Sequence, residues 1–127
     1  MEKVTGIGGI FFKVKDRDAL IAWYRDNLGL PFEEWGGTVF QWRENDDPDT
    51  VGQTLLSTFP HDTEYFKRST KDFMINLRVR DLDAMVAQLK AAGCDVDGAI
   101  EESEFGRFAW VLDPEGHRIE LWQPPTS

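Results

Sequence analysis

Few side chains in this sequence could do chemistry, and their types narrow the options. Cys94 is the only cysteine, so no intramolecular disulfide and no multi-cysteine zinc or iron–sulfur centre can form. A role as a small buried apolar residue is expected for it. The histidines are His61 and His117. An imidazole titrates near neutrality and can serve as base or ligand, but neither residue falls on the inner side of a strand pattern, and both read as surface-loop residues. Glu120, in the run Ile119-Glu120-Leu121, does sit on such a strand. It could be a general base whose pKa is raised by burial, or a carboxylate paired with Arg78 or Arg118.

The elements that must position these groups follow from an internal repeat. A shift of 65 positions superposes Val14-Lys15-Asp16-Arg17-Asp18-Ala19-Leu20-Ile21-Ala22 on Val79-Arg80-Asp81-Leu82-Asp83-Ala84-Met85-Val86-Ala87, with five identities. In each copy, alternating apolar residues precede the aspartate, Ile10, Phe12 and Val14 first, then Phe73, Ile75, Leu77 and Val79, which is the period of a half-buried strand. A helix follows, capped by Asp16 or Asp81 and closed by Gly29 or Gly93. Its apolar stripe is Leu20, Trp23, Tyr24 and Leu28 in the first copy and Leu82, Met85, Val86 and Leu89 in the second.

Three short strands are then expected per copy: Pro31–Trp35, Thr38–Arg43 and Gln53–Phe59, then Val96–Glu104, Arg107–Leu112 and Arg118–Gln123. Asp113-Pro114-Glu115-Gly116 supplies a tight hairpin turn, and the polar stretch Glu44–Gly52 reads as a mobile loop. The chain is therefore an α+β domain of two tandem β-α-β-β-β modules, residues 4–60 and 72–124, with a linker at 61–71.

A length of 127 residues suits one domain. No stretch approaches the roughly 18 apolar residues of a membrane helix, and the N-terminus lacks a secretory pattern, so a cytoplasmic protein with no membrane partner is expected. The net charge of −9 would repel a phosphate backbone, which argues against a nucleic-acid partner.

The V-x-D entry into each helix, Trp23-Tyr24-Arg25-Asp26-Asn27-Leu28-Gly29-Leu30 at the end of the first, and Asp113-Pro114-Glu115-Gly116-His117-Arg118-Ile119-Glu120-Leu121 near the chain end resemble the glyoxalase/bleomycin-resistance/dioxygenase family, the vicinal oxygen chelate superfamily. The resemblance spans nearly the whole chain. It implies an open, cup-shaped mixed sheet and, in metal-dependent members, four strand positions that hold one divalent ion. It also implies a homodimer.

Carried onto this chain, the ligand positions are Gly9, Met74, one residue within Gln53-Thr54-Leu55-Leu56, and Glu120, the only retained ligand. Glycine offers no donor and a thioether is a poor ligand for Fe²⁺, Ni²⁺, Mn²⁺ or Zn²⁺. No firm metal site remains, a resident divalent metal is disfavoured, and no other cofactor is implied.

Strand parity gives the cup another lining. If Ile10, Phe12 and Val14 face the helices, then Gly9, Phe11 and Lys13 face inward, as do Met74, Asn76 and Arg78 on the fifth strand and Glu120 and Trp122 on the last. With Trp42 and Trp110 from the middle strands, these residues make the mixture of apolar walls and few polar groups that suits a small molecule. Trp23 is read as a core or interface residue, and Trp110 divides evenly between core and pocket.

The expected function is binding of a small, partly apolar organic molecule, neutral or anionic, with Lys13 and Arg78 meeting any anionic part and Glu120 the candidate catalytic group. A lyase, isomerase or dioxygenase of the glyoxalase type with a nonstandard metal site is the alternative, and a purely partner-binding domain the third reading.

Overall fold

A computed structural model describes residues 1–125. The strands are β1 (Val4–Val14), β2 (Gly37–Arg43), β3 (Val51–Pro60), β4 (Phe73–Val79), β5 (Asp95–Val96), β6 (Glu101–Ser103), β7 (Gly106–Leu112) and β8 (Arg118–Gln123), and the helices are α1 (Arg17–Leu28) and α2 (Leu82–Ala91). They form one mixed sheet in the order β2-β3-β1-β4-β8-β7-β5, with β6 also paired to β7.

The repeat is visible in the pairing. β1 and β4 lie antiparallel at the centre, β3 runs parallel to β1, and β8 runs parallel to β4. Phe11 faces Ser57 across the first parallel pair, and Asn76, its counterpart 65 residues on, faces Glu120 across the second.

Both helices begin where the aspartates place them. Asp16 and Asp81 accept the N–H of Ala19 and Ala84 at 3.1 and 3.0 Å, which satisfies amides that have no helical partner. Gly29 ends α1 in the left-handed conformation (φ 67°). After α2, Ala92 is the cap and Gly93 (φ 78°) turns the chain, while Cys94 N–H reaches back to Leu89 O at 3.0 Å.

The helices differ in how they pack. Leu82, Met85 and Val86 of α2 build a core with Val79, Ala109 and Leu121. α1 buries only Ile21; Trp23 and Leu28 are more than half exposed, against the expectation for that stripe. Leu20 and Tyr24 are half-buried, Tyr24 stacked on Phe32 and edge-on to Phe12. Ile7, Ile10, Phe73 and Ile75 leave the outer face of β1 and β4 apolar and 40–57% exposed.

Other expectations need correction. Pro31–Trp35 is not a strand: Phe32 is buried, its carbonyl is taken by Arg25, and Glu33 N–H bonds Gly37 O across a turn. Val96–Glu104 divides into β5 and β6. The Glu44–Gly52 loop is closed by its own bonds, with Glu44 almost fully buried and paired to Arg80 at 2.7 Å. Cys94 is exposed rather than buried. The segment between the modules is packed structure, because Phe66 (1% exposed) is among the most buried side chains of the chain.

Candidate functional site in the cup

β4 and β8 place Asn76 beside Glu120 and Arg78 beside Trp122, while β7 brings Trp110 opposite Glu120 and Phe108 opposite Trp122. All lie on the concave face. β1 reaches that face with two adjacent residues because its register with β4 shifts between Ile7 and Gly9, a bulge that shows the cup both Gly8 and Gly9. Neither position has room for more: a Cβ at Gly8 would meet Asn76 Oδ1 at 2.2 Å and Trp122 at 2.9 Å, and one at Gly9 the Phe11 ring at 2.6 Å.

Two regions divide the face. The first is centred on Glu120, which is 2% exposed. Its Oε1 accepts from Asn76 Nδ2 at 2.6 Å, and its Oε2 accepts from Trp110 Nε1 at 2.9 Å and from the Tyr65 hydroxyl. Burial pushes the carboxyl above its ordinary value, while these three bonds and the charge of Arg118 work the other way. Burial, and then the carboxylate beside it, push the Tyr65 phenol far up.

The expected pairing of Glu120 with an arginine is not made. Arg118 stacks on Trp110 at 4.9 Å and approaches Asp97 at 3.1 Å. Arg78 lies over the rings of Trp42 and Trp122 at 5.6 and 5.2 Å.

Phe11, Met74, Phe66 and Trp110 pack into one cluster next to Glu120. Phe66 and Tyr65 come from the segment between the modules, so this half of the cup is filled by the protein itself. Trp110 is a core residue here whose indole N–H is committed to Glu120.

The second region is the Arg78 end. The Trp42 ring lies where side chains at Gly6 and Gly52 would stand, and its Nε1 donates to Thr54 Oγ1 at 2.7 Å. Trp122 stacks on Phe108 with rings 6° from parallel. Arg78 is 8% exposed, its Nε has no hydrogen-bond partner, and burial lowers its pKa with only Glu44 opposing. A depression of about 240 Å³ adjoins this region on the far side of Trp42, lined by Gly6, Ile7, Trp42, Arg43 and Thr54 but not by Arg78.

Lys13 does not join this group. Gly6 pairs with Arg78, whereas the Lys13 amide bonds Asp72 O at the far end of β1, so seven residues of strand, roughly 23 Å, separate them. Lys13 lies over Phe66 at 5.2 Å and lines a separate depression of about 430 Å³ with Thr63, Lys67 and Ser69. One small ligand cannot meet both cations.

The histidines stay out of the cup. His61 is exposed in the turn after β3, and His117 Nδ1 lies 2.8 Å from Asp113 in the last hairpin turn.

The donor set does not fit a divalent metal. The pairing makes Ser57, not a residue of Gln53–Leu56, the counterpart of Glu120. Both Glu120 oxygens are engaged, Met74 is sealed in the aromatic cluster, and the Phe11 ring lies where a side chain at Gly9 would project. Among the described residues, no three His, Cys, Asp or Glu side chains come together to hold an ion.

Parity could place Asn76 beside Glu120, but Tyr65 escaped sequence reasoning. The one available signal was an aromatic pair, Tyr65-Phe66, within an otherwise polar linker.

A two-module sheet of this order, curved around such a face, defines a protein of the vicinal oxygen chelate superfamily. The chain belongs to the glyoxalase-like domain family, whose model matches residues 9–122. Among solved structures it is similar to methylmalonyl-CoA epimerase from Mycobacterium tuberculosis (24% identity, TM-score 0.63, 97% of this chain and 90% of that one). It is also similar to the Streptomyces coelicolor epimerase in complex with 2-nitronate-propionyl-CoA (20%, TM-score 0.68, 98% and 100%). The Mn(II)-bound glyoxalase from Novosphingobium aromaticivorans aligns at 25% identity with a TM-score of 0.60 over 97% of this chain, which spans 40% of that protein. No curated protein sequence matches the chain.

Proposed function

We propose that this chain binds a small, partly apolar, anionic organic molecule at the Arg78 end of its cup, without a resident divalent metal. The observation that supports this reading is the state of Arg78. Its guanidinium lies against two indoles, burial disfavours its charge, its Nε is unpartnered, and among the described residues no carboxylate bonds it. A buried cation without a counterion is costly. A ligand anion would supply the missing charge, and Trp42, Trp122 and Phe108 would cover its apolar part.

Titration of tryptophan fluorescence with aliphatic and aromatic carboxylates, each beside its neutral amide, tests this. Carboxylates should quench, and Arg78→Met should weaken them by at least about tenfold, a loss of roughly 1.4 kcal/mol. Quenching by no carboxylate, or quenching unchanged in the variant, sinks the reading.

The apolar outer face of β1 and β4 supports a second part of the proposal, a homodimer closed through Ile7, Ile10, Phe73 and Ile75. Sedimentation of the wild type beside Phe73→Glu tests it, with a monomeric wild type against it.

A further inference from the structure

The Arg78 end leaves the other half of the cup unused. There the partners of Glu120 differ in kind. Asn76 and Trp110 are buried residues of the sheet, at 2% and 5% exposure, whereas Tyr65 is 37% exposed and belongs to a segment with neither helix nor strand. The Tyr65 ring lies in a flat slot, stacked on Phe59 (5.5 Å, 15°) and edge-on to Trp110 (6.3 Å, 86°).

Asn76 holds Glu120 from the β4 side of the slot. With its Nδ2 committed to Glu120, its Oδ1 is buried without a donor and lies 2.2 Å from the place a Gly8 Cβ would take. That acceptor turns toward Gly8 on β1, so the amide's donor end is the part that faces Glu120.

We propose that Glu120, Asn76 and Trp110 form a recognition site for a neutral hydroxyaryl compound, and that Tyr65 occupies it as an internal ligand which such a compound displaces. The slot selects a planar ring, because Phe59 and the Trp110 edge leave room for little else. Glu120 selects a hydroxyl over an anion, because a second negative charge beside a buried carboxylate would be repelled and unpaired.

Displacement needs only a local change. Phe66 is buried as an anchor beside Tyr65, and Arg68, itself half-exposed, holds the segment from outside through ion pairs to Asp95 and Asp97. The site lies apart from Arg78 and stands whether or not an anion binds there.

The test is calorimetric titration of the whole chain with 4-methylphenol, its methyl ether and 4-methylbenzoate, in the wild type, Tyr65→Phe and Tyr65→Ala. The phenol should bind the wild type, bind Tyr65→Phe more tightly because no hydrogen bond must be broken, and bind Tyr65→Ala more tightly still, by at least about tenfold over wild type. The ether and the benzoate should bind at least about tenfold more weakly than the phenol in every form. Equal affinity of ether and phenol would reduce the site to a cavity made by truncation and overturn the proposal. So would phenol binding that is absent from both the wild type and Tyr65→Phe, the variant that keeps the ring and with it the packing.

Discussion

Tyr65 donates its phenolic proton to Glu120 across 55 residues of sequence, which fastens the segment between the modules to the last strand. Removing that hydroxyl while keeping the ring leaves Glu120 with two donors instead of three. Hydrogen bonds to charged groups are worth about 1.5–3 kcal/mol, and water can reach part of Tyr65, so Tyr65→Phe should destabilise the fold by about 1–2 kcal/mol. Urea denaturation monitored by tryptophan emission measures it, and an unchanged midpoint would mean that the bond contributes nothing net.

Glu120 makes stability depend on pH in a direction opposite to that of a salt-bridged carboxylate. Its folded pKa lies above the ordinary 4.5, so between the two values the folded state holds more protons than the unfolded one. Stability is lost as pH rises from 4.5 through the folded pKa, and is level above it. Glu120→Gln removes this ionisation, and a flipped Asn76 amide can still face the new side chain. The variant should show a flatter pH profile over that window. An identical profile would place the effect on another group.

The two-module order, the cap aspartates and the inward residues of β4 and β8 were legible because each rests on local periodicity or on the repeat. What the sequence hid depends on contacts between distant segments. The bulge at Gly8–Gly9 looks like flexible glycine until Asn76 and Trp122 are seen against it. Lys13 and Arg78 share a face by parity, but parity does not measure the distance along it. Trp23 fits the period of α1, whereas the helix meets the sheet through Ile21 and Tyr24.

Phe66 is the apolar counterpart of the Tyr65 bond. It packs with Phe11, Met74, Trp110 and Phe59, and its removal would leave a cavity in the middle of the cup. Phe66→Ala should cost about 3–5 kcal/mol, the usual range for a buried phenylalanine. A cost below about 1 kcal/mol would show that the segment does not hold this half of the cup closed.

Gly9 decides whether the family's metal chemistry could be restored by one substitution. Gly9→His supplies the missing first ligand in name, but its Cβ would start 2.6 Å from the Phe11 ring, Met74 would still offer a poor donor, and Ser57 would still face Phe11 where its repeat counterpart Glu120 faces Asn76. A catalytic divalent ion needs three or four protein ligands, and here two at most would converge, one of them already bonded to Tyr65, Asn76 and Trp110. Calorimetric titration of the wild type and Gly9→His with Ni²⁺, Zn²⁺ and Mn²⁺ should therefore give no stoichiometric binding in either. Steric conflict with Phe11 should also make the variant less stable by about 1–3 kcal/mol. One equivalent of tightly held metal in the wild type would show that ligands outside the four family positions complete a site, and would put the metal-dependent reading ahead of metal-free binding.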